Sequence, residues 1–434
     1  MHPESRIHSP SPALGKALAI SLAGVLTTVF VLSFSEVSLA AKTPVPPRVR
    51  ETIGAIPASY IVVLKDTKPN AITVRDRALR LLRAHGGRIQ RTYSAALKGY
   101  ASRMTPEQAA EVASDPDVAY VEQDARHHGS QGGVRGSAPS DAQTQTDPPS
   151  WGLDRIDQRS LPLDRRYGYT TTASNVTVYL VDSGLRTTHT QFGGRASIGA
   201  DEVGDGRDGQ DCLGHGTHVA GTVGGRDHGV AKGVKLVAVR VLNCHDSAST
   251  SAIIAAADWI TAHAAKPAVV NMSINGGASS SEDAAIRESI ASGVTWVVSS
   301  GNDNRSACGN SPGRIGEALV VNNADSGDRR RSDSDYGSCT DLFAPGTGIT
   351  SAWNGSDTAT KTISGTSMAA PHVTGAAALW LSGHPSAAPA DVQSALIAAA
   401  TPGKVRDAGS GTPNRLLFTG ADGEGVGRRQ TTTG

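Results

Sequence analysis

Aromatic residues are scarce in this chain: Phe, Trp and Tyr together make up 4% of 434 residues, against 49 glycines. A core of any size must therefore pack Ala, Val, Ile and Leu, with tight turns between the elements. An excess of either charge is also lacking. The formal net charge is +1, which supplies no global attraction to nucleic acid or anionic lipid. The glycines follow no three-residue period, which excludes collagen, and an apolar content of 38% argues against wholesale disorder. Beyond the N-terminal region no segment has 18 or more uninterrupted apolar residues, so the processed protein is expected to be soluble, with no membrane partner. Cysteine is sparse, with four residues and no C-x-x-C pair. A thiolate metal centre is therefore the weaker reading of them.

Near-neutrality is an average over two opposed parts. Residues 1–140 carry 17 basic and 11 acidic side chains, and residues 141–434 carry 24 and 29. At the front, Arg6 and Lys16 precede an apolar run over 17–34, and small residues follow at Ser38, Leu39 and Ala40. That order predicts a secretion signal over 1–40, cut at Ala40–Ala41. Ser21, Thr27, Thr28 and Ser33 interrupt the run and argue against a membrane anchor. Export places the cysteines in an oxidising compartment, where four of them allow three pairings. Pairing of neighbours, Cys212 with Cys244 and Cys308 with Cys339, would close loops spanning 32 and 31 residues, each bridge worth ~2–4 kcal/mol.

Behind the signal, residues 57–125 read as a small module of order β-α-β-β-α-β, the split βαβ (ferredoxin-like) arrangement. Strands are expected over 59–65, 88–93, 97–104 and 118–122, with a helix over 74–84. A second helix starts at Thr105, whose Pro106 and Gln108 supply the first-turn proline and the capping partner. Residues 126–150 are rich in Gly, Ser, Pro and Gln and predict an exposed, protease-sensitive linker. From Trp151 to residue 420, β-branched runs at 176–181, 234–241, 268–274 and 294–298 alternate with helical stretches at 250–264 and 281–292. The expectation is an α/β domain with a helix-covered, mainly parallel sheet, and a site beyond the carboxyl ends of its strands. The polar tail 421–434 reads as disordered.

Several motifs carry chemistry. The 176–181 strand runs into Asp182-Ser183-Gly184, a carboxylate at a strand end, although Asp before Ser-Gly is also an ordinary turn. His215 lies in Gly214-His215-Gly216-Thr217-His218, at the start of a helix. With His218 three residues on it could ligate zinc, but no H-E-x-x-H pattern accompanies it. Ser367 in Gly365-Thr366-Ser367-Met368-Ala369-Ala370-Pro371 opens a helix of small residues, where an N-cap is the alternative role. A serine nucleophile needs a base, and the base needs a carboxylate to hold its tautomer. Asp182, His215 and Ser367 supply these in that chain order, which is the order of subtilisin itself. Asn302, after the 294–298 strand, can donate to an oxyanion together with the Ser367 backbone N–H.

Taken together, residues 151–417 resemble subtilisin-like serine proteases, in particular the proteinase K and aqualysin branch, and 59–124 resemble that family's inhibitory propeptide. The resemblance implies a catalytic triad of Asp182, His215 and Ser367, an oxyanion hole with Asn302, and disulfides of the neighbour-paired aqualysin type. It implies polypeptide substrates that bind as an added strand along Asp246-Ser247-Ala248 and Ser273-Ile274-Asn275. Relatives carry glycine at Asp246, Ala248 and Asn275, and Val-Gly-Ala where this chain has Val321-Asn322-Asn323-Ala324, so altered or narrowed subsites are expected. Structural Ca²⁺ is expected at Asp154, Asp157 and Gln158, spaced i, i+3 and i+4, with Asp164 added. A second Ca²⁺ site would use the Gly316 and Ala318 carbonyls with Asp341. The expected protein is a secreted, monomeric serine endopeptidase, matured by its own cleavage within 126–150. A serine esterase is the alternative, but the motif at Ser367 lacks the second Gly of G-x-S-x-G.

Overall fold

The computed structural model describes residues 49–66, 73–129, 133–134 and 144–420. The expected signal and the tail lie outside the described residues.

Strand β1 (Ala55–Leu64) ends in six consecutive buried residues, which a strand does only when both of its faces are covered. Tyr60, Val62 and Leu64 turn to a core shared with Leu81, Tyr100 and Val112. Ile61 and Val63 turn the other way, into a core with Tyr93, Leu97, Ile253 and Ala257. Helix α1 (Val74–His85) is opened by a Thr73–Asp76 capping box. Strands β2 (Arg88–Tyr93) and β3 (Gly99–Arg103) follow, and α2 (Pro106–Ser114) has Thr105 and Gln108 in the reciprocal cap expected of them. Strand β4 (Val118–His128) completes an antiparallel sheet of order β4-β1-β3-β2. The module is the split βαβ unit expected, with one difference. β4 continues through Arg126, His127 and His128, residues whose polar composition predicts linker.

The larger domain is built on parallel strands β5 (Thr177–Asp182), β6 (Ala196–Asp201), β7 (Lys235–Arg240), β9 (Ala268–Met272), β11 (Thr295–Ser299), β12 (Leu319–Ala324) and β13 (Leu342–Pro345). Their order is β6-β7-β5-β9-β11-β12-β13, all neighbours parallel. Along β5 the pleat divides the residues between two cores: Val178 and Leu180 on one side, Tyr179 and Val181 on the other. Helices α3 (His215–Gly224) and α6 (Thr366–Gly383) cover the first side; α4 (Thr250–His263) and α5 (Ser280–Ala291) cover the second. Two short strands, β8 (Ala248–Ser249) and β10 (Asn275–Gly277), lie outside this sheet.

The small domain docks through carboxylates placed on helix N-termini. Glu122 accepts hydrogen bonds from the Ser280 N–H at 3.1 Å, the Ser281 N–H at 3.3 Å and the Ser279 hydroxyl, at the start of α5. Asp124 accepts from the Ser251 N–H at 3.0 Å and its hydroxyl at 2.7 Å, at the start of α4. Both sites use the exposed donors and positive dipole end of a helix. In return Asp258 of α4 accepts from the backbone N–H groups of Ser94, Ala95 and Ala96. Among the described residues, a basic front against an acidic body describes the Arg91–Glu202 pair, while Glu122, Asp124 and Asp258 dock as acids from both sides.

Candidate active site

Asp182 ends β5 completely buried, and its Oδ1 accepts from His215 Nδ1 at 2.8 Å and from the Ser183 N–H at 2.7 Å. His215 is the first residue of α3 and equally buried. The helix can start there because Gly214 holds φ +99° and lies against the Trp353 ring, where a Cβ would come within 2.3 Å. Asp211 fixes the two loops against each other by accepting from Ser183 Oγ, the Gly214 N–H and both donors of Thr217. Burial pushes the His215 imidazolium down, but Asp182, with help from Asp246 and Asp211, more than offsets this and holds its pKa above the ordinary value.

Ser367 occupies the first turn of α6, 1% exposed. Pro371 lies in the same helix and has no N–H to give to the Ser367 carbonyl four residues back. Ser273 Oγ donates to that carbonyl at 2.9 Å instead, and Ser367 Oγ donates to the Ser273 carbonyl at 3.1 Å. His215 Nε2 has no hydrogen-bond partner among the described residues. Asn302 Oδ1 accepts from the Thr366 N–H at 2.8 Å and from its hydroxyl at 3.1 Å, which leaves the Asn302 amide N–H₂ as a donor beside the helix start. His218 is bound to the Ile349 and Lys361 carbonyls and is pushed down to about 3 by burial, so it does not share a ligand role with His215.

The expected peptide-binding segments hold a peptide: the chain's own β4. His127 pairs antiparallel with Ala248 of β8 and with Gly276 of β10, and His128 pairs with Asn275. The Gly129 N–H donates to Asp246 Oδ1 at 3.0 Å, and the direction in which a Gly129 Cβ would point meets Asp246, Leu242 and His215. Beyond it, Gly133 pairs with Ile363, four residues before Ser367. Asp246 adopts φ +59°, a left-handed conformation that glycine takes more readily than other residues. Asn275 bridges to the end of β11, donating to the Ser299 carbonyl and accepting from its hydroxyl, both at 2.8 Å. A cleft of 390 Å³ remains beside it, lined by Asn275, Gly276, Asn302 and Arg305 among others. Ile274 is buried in the α4–α5 core, and Ser247 closes a turn on Asn243. Asn322 and Asn323 lie fully buried in β12 and bond Thr340 and Thr347.

Residues 173–420, more than half of the chain, match the Subtilase family. The chain is a subtilase. Residues 59–128 match the Peptidase inhibitor I9 family, a range that ends where β4 does. The subtilase is 49% identical over 382 residues to the extracellular serine proteinase of Thermus sp. (strain Rt41A), across 84% of this chain and 90% of that one. It is similar to the crystal structure of a cold adapted subtilisin-like serine proteinase, at 48% identity and TM-score 0.61, covering 63% of this chain and 98% of that one. The fold of fervidolysin from Fervidobacterium pennivorans superposes on 86% of this chain and 62% of that one, with TM-score 0.70 at 22% identity. The subtilase is thus a secreted serine endopeptidase made as a precursor, with its inhibitor in the same chain. No helix among the described residues is long and apolar enough to cross a membrane.

Cys212 is joined to Cys244 and Cys308 to Cys339, at Cα separations of 5.2 and 5.4 Å. Subtilases commonly bind structural calcium, and the two expected sites differ in fit. At the first, Asp157 Oδ1 is buried without a partner, and burial with the neighbouring Asp164 and Asp154 pushes its carboxyl up to about 6. Such an uncompensated acid fits a cation, although both Asp154 oxygens already accept the Asp164 and Arg165 N–H groups and Gln158 Oε1 accepts from Asp164. The second set does not fit. Gln393 Nε2 donates to the Gly316 carbonyl at 3.0 Å and to that of Ala318 at 3.2 Å, so a neutral amide fills the place the ion would take. Asp341 accepts from the Val320 N–H. Among the described residues no three His, Cys, Asp or Glu side chains form a metal cage.

Sequence reasoning missed Asp211 and the interface acids Glu122, Asp124 and Glu282. Glu122, Asp124 and Glu282 are buried and Asp211 half-buried by tertiary contact, which no local pattern announces.

Proposed function

We propose that Ser367 is the nucleophile of the protease, His215 its base and Asp182 the group that orients the base. Ser367 Oγ leaves the Ser273 carbonyl, passes its proton to His215 Nε2 and attacks the carbonyl carbon of the scissile bond. The oxyanion takes hydrogen bonds from the Asn302 amide and the Ser367 N–H, where loss of one donor costs roughly 10²–10³ in kcat in subtilisin itself. The C–N bond breaks as Nε2 returns the proton to the amine, and a water activated by the same nitrogen frees the acyl group. Asp182 orients the imidazole and stabilises the imidazolium, in keeping with the raised pKa of His215. Structural calcium is assigned to Asp154, Asp157 and Gln158, with Asp164. The protein acts as a monomer.

The observation that carries this reading is where the chain lies just past β4: Gly129 stands beside His215, and Gly133 pairs with Ile363, four residues before Ser367. We place the maturation cleavage between Gly129 and Gly133, inside the expected 126–150 window. β4 would then remain in the cleft as a product-like inhibitor. Ser367→Ala is expected to accumulate as intact precursor lacking only its signal. Efficient self-maturation of that variant, or a first cut outside 129–133 by N-terminal sequencing of the released strand, would refute the assignment.

A further inference from the structure

β4 brings two neighbouring histidines into the cleft, and the pleat sends them to different environments. His128 is exposed, with Nδ1 against the Asp246 carbonyl at 2.8 Å. His127 is fully buried. Its Nε2 lies 2.9 Å from Thr250 Oγ1 and 3.2 Å from Glu282 Oε2, and its ring covers Gly276 so closely that a Cβ there would overlap it.

Glu282 is an unusual residue for that place. It stands in the first turn of α5 with no exposed surface, and neither carboxyl oxygen has a hydrogen-bond partner. Its charged surroundings do not compensate it: Asp283 and Glu122 repel a charge, and Arg314 is already committed to Asp283. Apart from the approach of His127 Nε2, Glu282 has no partner among the described residues, and a buried acid in that state destabilises a fold, so a structural role within the catalytic domain alone leaves it unexplained. It is aimed at the pocket that His127 of the chain's own cleft-bound strand fills.

We propose that this pocket is a specificity subsite, in which Glu282 selects substrates with a histidine two residues before the one lying against His215. The proposal rests on β4 marking the substrate path. Strand alternation puts residues 127 and 129 on the same face, so a substrate in the same register presents the corresponding side chain to Glu282. An imidazole suits the site because it can accept a proton or donate one. Burial pushes His127 down to about 3 and pushes Glu282 well up, so the pair is held neutral and shares one proton. A phenylalanine keeps the ring shape but leaves Glu282 and Thr250 unpaired.

The test uses the self-processed wild-type enzyme and quenched fluorescent peptides copying residues 124–134, with His, Phe or Leu at position 127. The His peptide is expected to exceed the other two in kcat/KM by about tenfold or more, the discrimination expected when a buried polar group loses its partner. In Glu282→Leu the order should reverse. Equal or better cleavage of the Phe or Leu peptide by the wild type overturns the proposal, as does a His preference that survives in Glu282→Leu. If that variant fails to accumulate, the wild-type ranking alone decides. Degradation of casein with no cleavage of any of the peptides overturns the substrate path, and the subsite with it.

Discussion

Gly276→Ala isolates the shape of the His127 pocket from its chemistry. Gly276 is not among the residues of positive φ, so its backbone accepts alanine without strain. The new methyl would lie 2.1 Å from His127 Nδ1, 2.4 Å from Cε1 and 2.5 Å from Cγ, inside the closest approach of real atoms. Relief requires the ring to retreat by about 1 Å, but Nε2 is held at 2.9 and 3.2 Å by Thr250 and Glu282. Either those contacts break or the site is overpacked, and the two costs together come to ~2–5 kcal/mol. Against the peptide copying residues 124–134, that corresponds to a loss of roughly 30-fold to several-thousand-fold in kcat/KM. The same peptide with glycine at position 127 has no ring to displace, and its kcat/KM should fall by less than about fivefold. Steady-state kinetics of both enzymes on both peptides gives the four values. A parallel fall on the two peptides, or no fall on either, would refute the geometry, because the predicted loss belongs to the pair of residue 276 and the ring above it.

Two further outcomes follow from the ionisable groups. Asp246 is one of the carboxylates raising His215, and catalysis needs the neutral imidazole. Asp246→Gly is therefore expected to move the acid limb of the kcat/KM profile to lower pH, with an unmoved or raised limb counting against the assignment. Asp157 is raised to about 6 without metal, so its contribution to stability is full below the unfolded carboxyl range and fades as pH rises through 6. Calcium should cancel that loss, so chelation is expected to lower Tm at pH 8 more than at pH 5. A chelator effect that is absent, or that persists in Asp157→Asn, would remove calcium from this site.

What was legible in the sequence was whatever repeats along one element. The runs at 176–181 and 294–298 announce buried parallel strands because β-branched residues on both faces suit only that environment. Thr105-Pro106-Glu107-Gln108 announces a helix start because all its partners lie within four residues. Asp182, His215 and Ser367 could be singled out as candidates because each sits in a motif of glycines and small residues that shapes its own turn. Contacts made across the two domains left no such trace. Arg126 to His128 read as linker because a polar strand that pairs with β8 and β10 needs no apolar period, only free backbone groups on its partners. Gln393 was invisible as an occupant of the Gly316 and Ala318 carbonyls, since nothing in a helix surface position foretells which distant oxygens its amide will reach.

The opposed net charges of the two parts say as little about the docked surface, and this bears on how the precursor holds together. A basic front and an acidic body suggest attraction between net charges, which acts at long range and is screened within about 10 Å at 0.1 M salt. The docked surface instead sets Glu122 and Asp124 on the ends of α5 and α4, acids against an acidic domain. Helix ends make this favourable because their N–H groups and dipoles act over one turn, where the sum over the whole domain no longer matters. Docking held by buried, directional contacts should depend weakly on ionic strength. It also requires those helix starts to exist before the small domain can bind them, which ties inhibition to a catalytic domain whose α4 and α5 are already folded.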